Sequence, residues 1–121
     1  MEASSWEIHK FGGSSLADAE RIRRAADIVE RREGTRRAVV VSAMQGVTDE
    51  LLEALDGARD QQTGYRERLE QLREKHLETL EEVVSGAGGQ RAAAGIKDDF
   101  RDIEEVLRAI WLLGTASEAA R

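Results

Sequence analysis

Two strand-like segments separated by a single amphipathic helix constrain this chain more than any other feature. Trp6, Glu7, Ile8, His9, Lys10 and Phe11 alternate with the period of two of a strand, whereas Ala38, Val39, Val40 and Val41 form a continuous apolar run. An unbroken apolar strand suits a parallel sheet covered on both faces. Between the two, Leu16, Ala19, Ile22, Ala26 and Val29 share one helical face, so residues 16 to about 32 are predicted helical. Ser15 can cap the start, with Asp18 in capping-box position. Strand, helix and strand in this order make a βαβ unit, whose crossover is right-handed in nearly all cases.

Residues 1–5 read as a disordered lead. After the second strand a loop runs from Ser42 to Val47 into another helix, with Thr48 as its expected cap and Asp49 and Glu50 in its first turn. Beyond Gly57 the pattern changes. Tyr65, Leu69, Leu72, His76, Leu80 and Val83 are spaced by threes and fours, as are Ile96, Phe100, Ile103, Leu107 and Ile110. Two long helices are predicted, joined by a flexible turn at Ser85, Gly86, Ala87, Gly88 and Gly89 and folded back as an antiparallel hairpin. The organisation expected is thus α/β: a βαβα part over residues 6–60 and a helical hairpin over 61–121.

Composition excludes several classes of function. A net charge of -6 opposes nucleic-acid binding, though a local positive pocket for a small phosphate is compatible with it. Cysteine is absent, which removes disulfides and thiolate metal sites. No run approaches the roughly 20 apolar residues of a membrane helix, and no secretory pattern opens the chain, so a cytoplasmic location without membrane partners is expected. Only 4% of residues are aromatic and proline is absent, so the core must rest on Leu, Ile, Val and Ala.

In a parallel sheet, ligands bind beyond the carboxyl ends of the strands, where loops lead into helices. Both strands here end in polar, glycine-containing loops. Lys10 breaks the logic of its strand, because alternation puts an ammonium group on the face of Trp6 and Ile8. At the strand end it could reach anionic oxygens, while Gly12 and Gly13 let backbone amides approach a phosphate and the following helix adds its positive pole. A glycine turn with a snorkelling lysine accounts for the same residues. Neither G-x-x-x-x-G-K-[ST] nor G-x-G-x-x-G is present. His9 and His76 read as ordinary strand-surface and helix-packing residues, and the mixed charge runs as solvated helix faces.

The run Lys10, Phe11, Gly12, Gly13, Ser14, Ser15 resembles the K-F-G-G-[TS]-S motif that opens aspartate kinases. The run from Val40 through Ser42, Met44, Gly46, Val47 and Thr48 to Asp49 is similar to their second loop, in the right order and spacing. The resemblance implies the amino acid kinase fold, an αβα sandwich around a mostly parallel sheet. It further implies ATP-dependent phosphorylation of the aspartate side-chain carboxylate. Carried over by position, Lys10, Phe11, Gly12, Gly13 and Ser14 would hold the ATP phosphates, with Lys10 neutralising charge on the transferring group. Ser42 would line the phosphate side and Thr48 would bind aspartate. Ser14 stands where threonine is commoner and keeps the hydroxyl. Magnesium is expected to arrive with ATP, and no protein ligand for a metal is expected in this stretch.

The same resemblance places a glycine-glutamate motif, the adenine-binding region and regulatory domains beyond Arg121. The 121-residue chain is therefore expected to be an inactive fragment with open sheet edges and a tendency to associate into homo-oligomers. Two alternatives stand beside this reading: a kinase of another small acid on the same fold, and a non-catalytic helical interaction module.

Overall fold

The computed structural model describes residues 5–32 and 36–119, with side chains to Gly114, so most of the expected lead lies outside the described residues. Strand β1, Trp6–Phe11, pairs in parallel with β2, Arg36–Val41, in the register Trp6 to Arg36 through Phe11 to Val41. Between them lie a 3-10 turn, Gly13–Leu16, and helix α1, Ala19–Glu30. Three helices follow: α2, Val47–Arg59; α3, Tyr65–Val83; and α4, Gly86–Ala119. A two-stranded parallel sheet with four α-helices among the described residues is a partial α/β architecture. Two compact units divide the chain, the first ending at Gly46 and the second starting at Val47.

In the first unit, α1 lies over the strand face that carries Glu7, His9 and Phe11. Phe11, Ile22, Ala25, Val29, Val39 and Val41 border a cavity of about 340 Å³ between helix and sheet. Arg32, just past α1, grips Glu7 with both arms of its guanidinium, at 2.8 Å from Nη2 to Oε2 and 2.9 Å from Nε to Oε1. His9 is therefore half-buried on the helix side and stacked on Phe11, not turned outward as alternation predicted. The open face is that of Trp6 and Ile8, 60% and 70% exposed, with Arg36 lying over the Trp6 ring. Val39, Val40 and Val41, predicted to be covered on both faces, are each at least 49% exposed. Val39 and Val41 face α1 across that cavity and are covered only in part, while Val40 lies on the open face.

The second unit has a closed core. Ala54 and Ala58, four apart on α2, are fully buried, and Leu72 of α3 is 1% exposed. Val47, Tyr65, Leu69, Phe100 and Leu107 join them among the described residues. Small residues on α2 let α3 approach closely: a β-carbon on Gly57 would lie 3.5 Å from that of Tyr65. Arg68 on α3 also pairs with Glu53 on α2. His76 donates from Nδ1 to the Leu72 carbonyl at 2.7 Å and meets the Phe100 ring edge-on, an interhelical packing role.

Three boundaries differ from the sequence reading. The segment after Gly12 winds first as a 3-10 turn, so α1 starts at Ala19 and Asp18 is its N-cap, not Ser15. Helix α2 begins at Val47, which puts Thr48 inside the first turn instead of at the cap. The glycines from Gly86 to Gly89 belong to α4, and only Val84 and Ser85 separate α3 from α4. Gly86 takes φ +76, a left-handed value glycine adopts freely, and the strong helix formers from Gln90 to Ala94 carry the helix on.

Candidate phosphate site at the strand ends

Parallel pairing brings the carboxyl ends of β1 and β2 to one rim, and the two loops leaving them touch. The Ser42 amide donates to the Phe11 carbonyl at 3.1 Å, extending the ladder one step past the strands. A β-carbon built on Gly13 would lie 3.5 Å from the Ala43 carbonyl oxygen and 3.5 Å from the Gln45 α-carbon. That is ordinary contact distance, so the first loop runs directly against the second. Gly46 closes the second loop at φ +84, a conformation that favours glycine.

The backbone of the first loop has a definite polarity. The Gly12 carbonyl accepts from the Ser15 amide at 3.0 Å and so points into the turn. No cis peptide bond occurs among the described residues. Across a planar trans peptide the carbonyl and the amide point in opposite directions. The Gly13 N–H is therefore directed away from the turn, available to an anion. Gly12 has open space where a side chain would begin, so the approach to this amide is unobstructed there.

Of the residues singled out from sequence, the structure gathers Lys10, Phe11, Gly12, Gly13, Ser14 and Ser42 in the first unit, around this rim. Lys10 is exposed on the penultimate position of β1, opposite Val40. Ser42 is exposed and its Oγ donates to the Ala43 carbonyl at 2.7 Å. Thr48 is exposed in the first turn of α2, in the second unit. The expected contribution of the α1 pole needs correction. The Asp18 carboxylate accepts the Arg21 amide at 2.9 Å, so a fixed anion already occupies that helix end.

Sequence reasoning missed Arg21 and Arg24. Both border a cavity of about 200 Å³ with Phe11, Ser14 and Ser15. Arg21 donates from Nη1 to the Ser14 carbonyl at 3.3 Å, while Arg24 pairs with Glu20 at 3.4 Å. Their spacing of three along α1, on the face toward the loop, was the available signal. Among the described residues no group of three His, Asp or Glu side chains is placed to hold a metal ion. No helix there is long and apolar enough to cross a membrane.

A parallel strand pair with glycine-bearing loops meeting at one rim is part of an α/β fold, and the family model described as the amino acid kinase family matches residues 5–110. The chain belongs to the amino acid kinase family. Among curated proteins it is similar to the chloroplastic bifunctional aspartokinase/homoserine dehydrogenase 1 of Zea mays, 35% identical over 114 residues, covering 94% of this chain and 12% of that protein. The Arabidopsis thaliana protein of the same name is 34% identical over 118 residues, 98% of this chain and 13% of its own length. The aspartokinase of Mycobacterium tuberculosis is 52% identical over 48 residues, 38% of this chain and 11% of that protein. The resemblance to aspartate kinases is thereby borne out. The chain spans only about an eighth of the length of these plant relatives.

Proposed function

We propose that this chain supplies the phosphate-binding rim and part of the aspartate site of an aspartokinase, which transfers the terminal phosphoryl group of ATP to the side-chain carboxylate of aspartate. The contact between the Gly12 to Ser15 turn and the loop after β2, at the end of the strand bearing Lys10, is the observation that carries this reading. A carboxylate oxygen forms the new bond to phosphorus as the bond to the leaving ADP oxygen breaks. No proton must be removed from the nucleophile. Catalysis then depends on alignment and charge neutralisation.

In this reading Lys10 meets the transferring phosphoryl oxygens, and the Gly12 and Gly13 backbone, with Phe11 and Ser14 flanking it, cradles the phosphates. Ser42 lines the same side and Thr48 donates its hydroxyl to the aspartate substrate. Magnesium, held by ATP, would offset phosphate charge; the described residues offer it no ligand set of their own. Residues 6–60 would carry the phosphate and substrate contacts, and α3 and α4 would form an antiparallel helical hairpin within residues 61–121. The exposed sheet face would be covered in a complete, homo-oligomeric enzyme.

In the complete natural polypeptide, Lys10→Ala is expected to lower aspartyl phosphate formation by about 10³-fold, in the range seen when one transition-state donor is removed. Hydroxylamine trapping of the acyl phosphate measures it. Unchanged activity would instead favour a helical interaction module with a vestigial strand pair. Thr48→Val should raise the KM for aspartate more than that for ATP. The 121-residue chain alone, covering so little of its relatives and leaving its sheet open, should form no acyl phosphate.

A further inference from the structure

Arg21 connects two local structures that the sequence treats separately. Its backbone amide is capped by Asp18 at 2.9 Å, which starts α1. Its guanidinium reaches back seven residues and donates to the Ser14 carbonyl at 3.3 Å. The peptide joining Ser14 to Ser15 is thus held at both ends, its carbonyl by Arg21 and its amide by the Gly12 carbonyl at 3.0 Å. Fixing that amide fixes the Gly12 carbonyl, and through the trans peptide it fixes the outward direction of the Gly13 N–H.

A four-residue 3-10 turn has few bonds of its own. With Gly12 and Gly13 inside or beside it, the unconstrained loop has many conformations to lose on binding an anion. An external clamp reduces that loss before the ligand arrives.

We propose that Arg21 is a positioning residue for the phosphate loop, acting on the anion through the Ser14–Ser15 peptide and not by direct contact. The inference rests on the phosphate-site reading above. Arg24 provides an internal control, because it borders the same cavity with the same charge yet its guanidinium pairs with Glu20. Alanine at 21 keeps the backbone amide that Asp18 caps and favours helix, so α1 should persist in the variant.

The test is amide hydrogen exchange by NMR on the 121-residue chain, together with titration by inorganic pyrophosphate. Arg21→Ala should speed exchange at Ser15 and weaken pyrophosphate binding, each by about three- to tenfold, the scale of one hydrogen bond. Exchange in α3 should not change. Arg21→Lys should restore only part of both effects, and Arg24→Ala should alter neither. Ser15 exchange that ignores Arg21→Ala, or that responds equally to Arg24→Ala, overturns the proposal. Pyrophosphate binding that Lys10→Ala weakens but Arg21→Ala does not also overturns it, leaving the phosphate site standing. Absence of pyrophosphate binding by the unsubstituted chain overturns both together.

Discussion

The two units of this chain solve the problem of burial differently. The helical unit buries Ala54, Ala58, Tyr65, Leu69 and Leu72 to 4% exposure or less, together with Phe100 and Leu107, and so supplies its own core. Among the described residues the strand unit buries only Leu16, Ala19 and Ala25, and leaves Trp6, Ile8 and three consecutive valines largely open. Yet the strand unit carries nearly all the candidate chemistry. Loops that bind ligands must keep polar backbone groups accessible, so their support has to come from layers around them. Here the chain's own layers support the helices well and the sheet poorly.

The strongest way to break that contrast is a pair of alanine substitutions. Leu72→Ala should cost about 2 to 5 kcal/mol, because it opens a cavity where a side chain is 1% exposed. Ile8→Ala, at 70% exposure, should change stability by about 0.5 kcal/mol or less. Denaturant unfolding of both variants measures the difference. A cost at Ile8 approaching that at Leu72 would mean that the open face is covered in solution, by a second copy of the chain.

A smaller effect tests the strand unit from within. Asp18→Ala removes the side-chain acceptor for the Arg21 amide and should destabilise α1 by about 1 kcal/mol, whereas Asp18→Asn should cost little. Amide exchange in the first turn of α1 should rise in the alanine variant while α3 is unchanged. Equal loosening of α3 would show that the two units do not open independently.

Sequence was informative where one strong local pattern had no competitor. The alternation from Trp6 to Phe11 and the valine run gave both strands, and the heptad-like spacing of Leu69, Leu72 and His76 gave the face that α3 buries. It was less informative where two residues competed for one role. Ser15 and Asp18 can both cap a helix; the Ser15 amide is drawn into the turn by the Gly12 carbonyl, and Asp18, extended at φ -152, becomes the cap. Gly86 to Gly89 look like a linker because glycine opposes helix by about 1 kcal/mol each. At Gly89 a β-carbon would lie 3.2 Å from the Val84 carbonyl five residues back, so the tight link between α3 and α4 favours glycine there while Gln90 to Ala94 carry the helix on. The spacing of Arg21 and Arg24 marks a cationic face on α1, but the bond from Arg21 to a backbone carbonyl seven residues away is not encoded by any side-chain pattern.

The smallest expected effect concerns the bond that ties α1 to β1. Hydrogen bonding from Arg32, aided by its charge and by His9, holds the Glu7 carboxyl below the usual carboxylate range, and Glu7 in turn raises Arg32. A carboxylate with a lowered pKa in the folded state adds stability that is present above its unfolded value and is lost as pH falls through the folded one. The loss attributable to Glu7 should begin near the ordinary glutamate value of about 4.3 and continue below it. Denaturation midpoints of the parent and Glu7→Gln should therefore differ at neutral pH and converge in acid, and repeating the pair in a His9→Gln background isolates the Arg32 contribution. Curves that stay parallel down to about pH 3, more than one unit below that value, would show that this exposed pair leaves the strand unit's stability unchanged, as many surface ion pairs do.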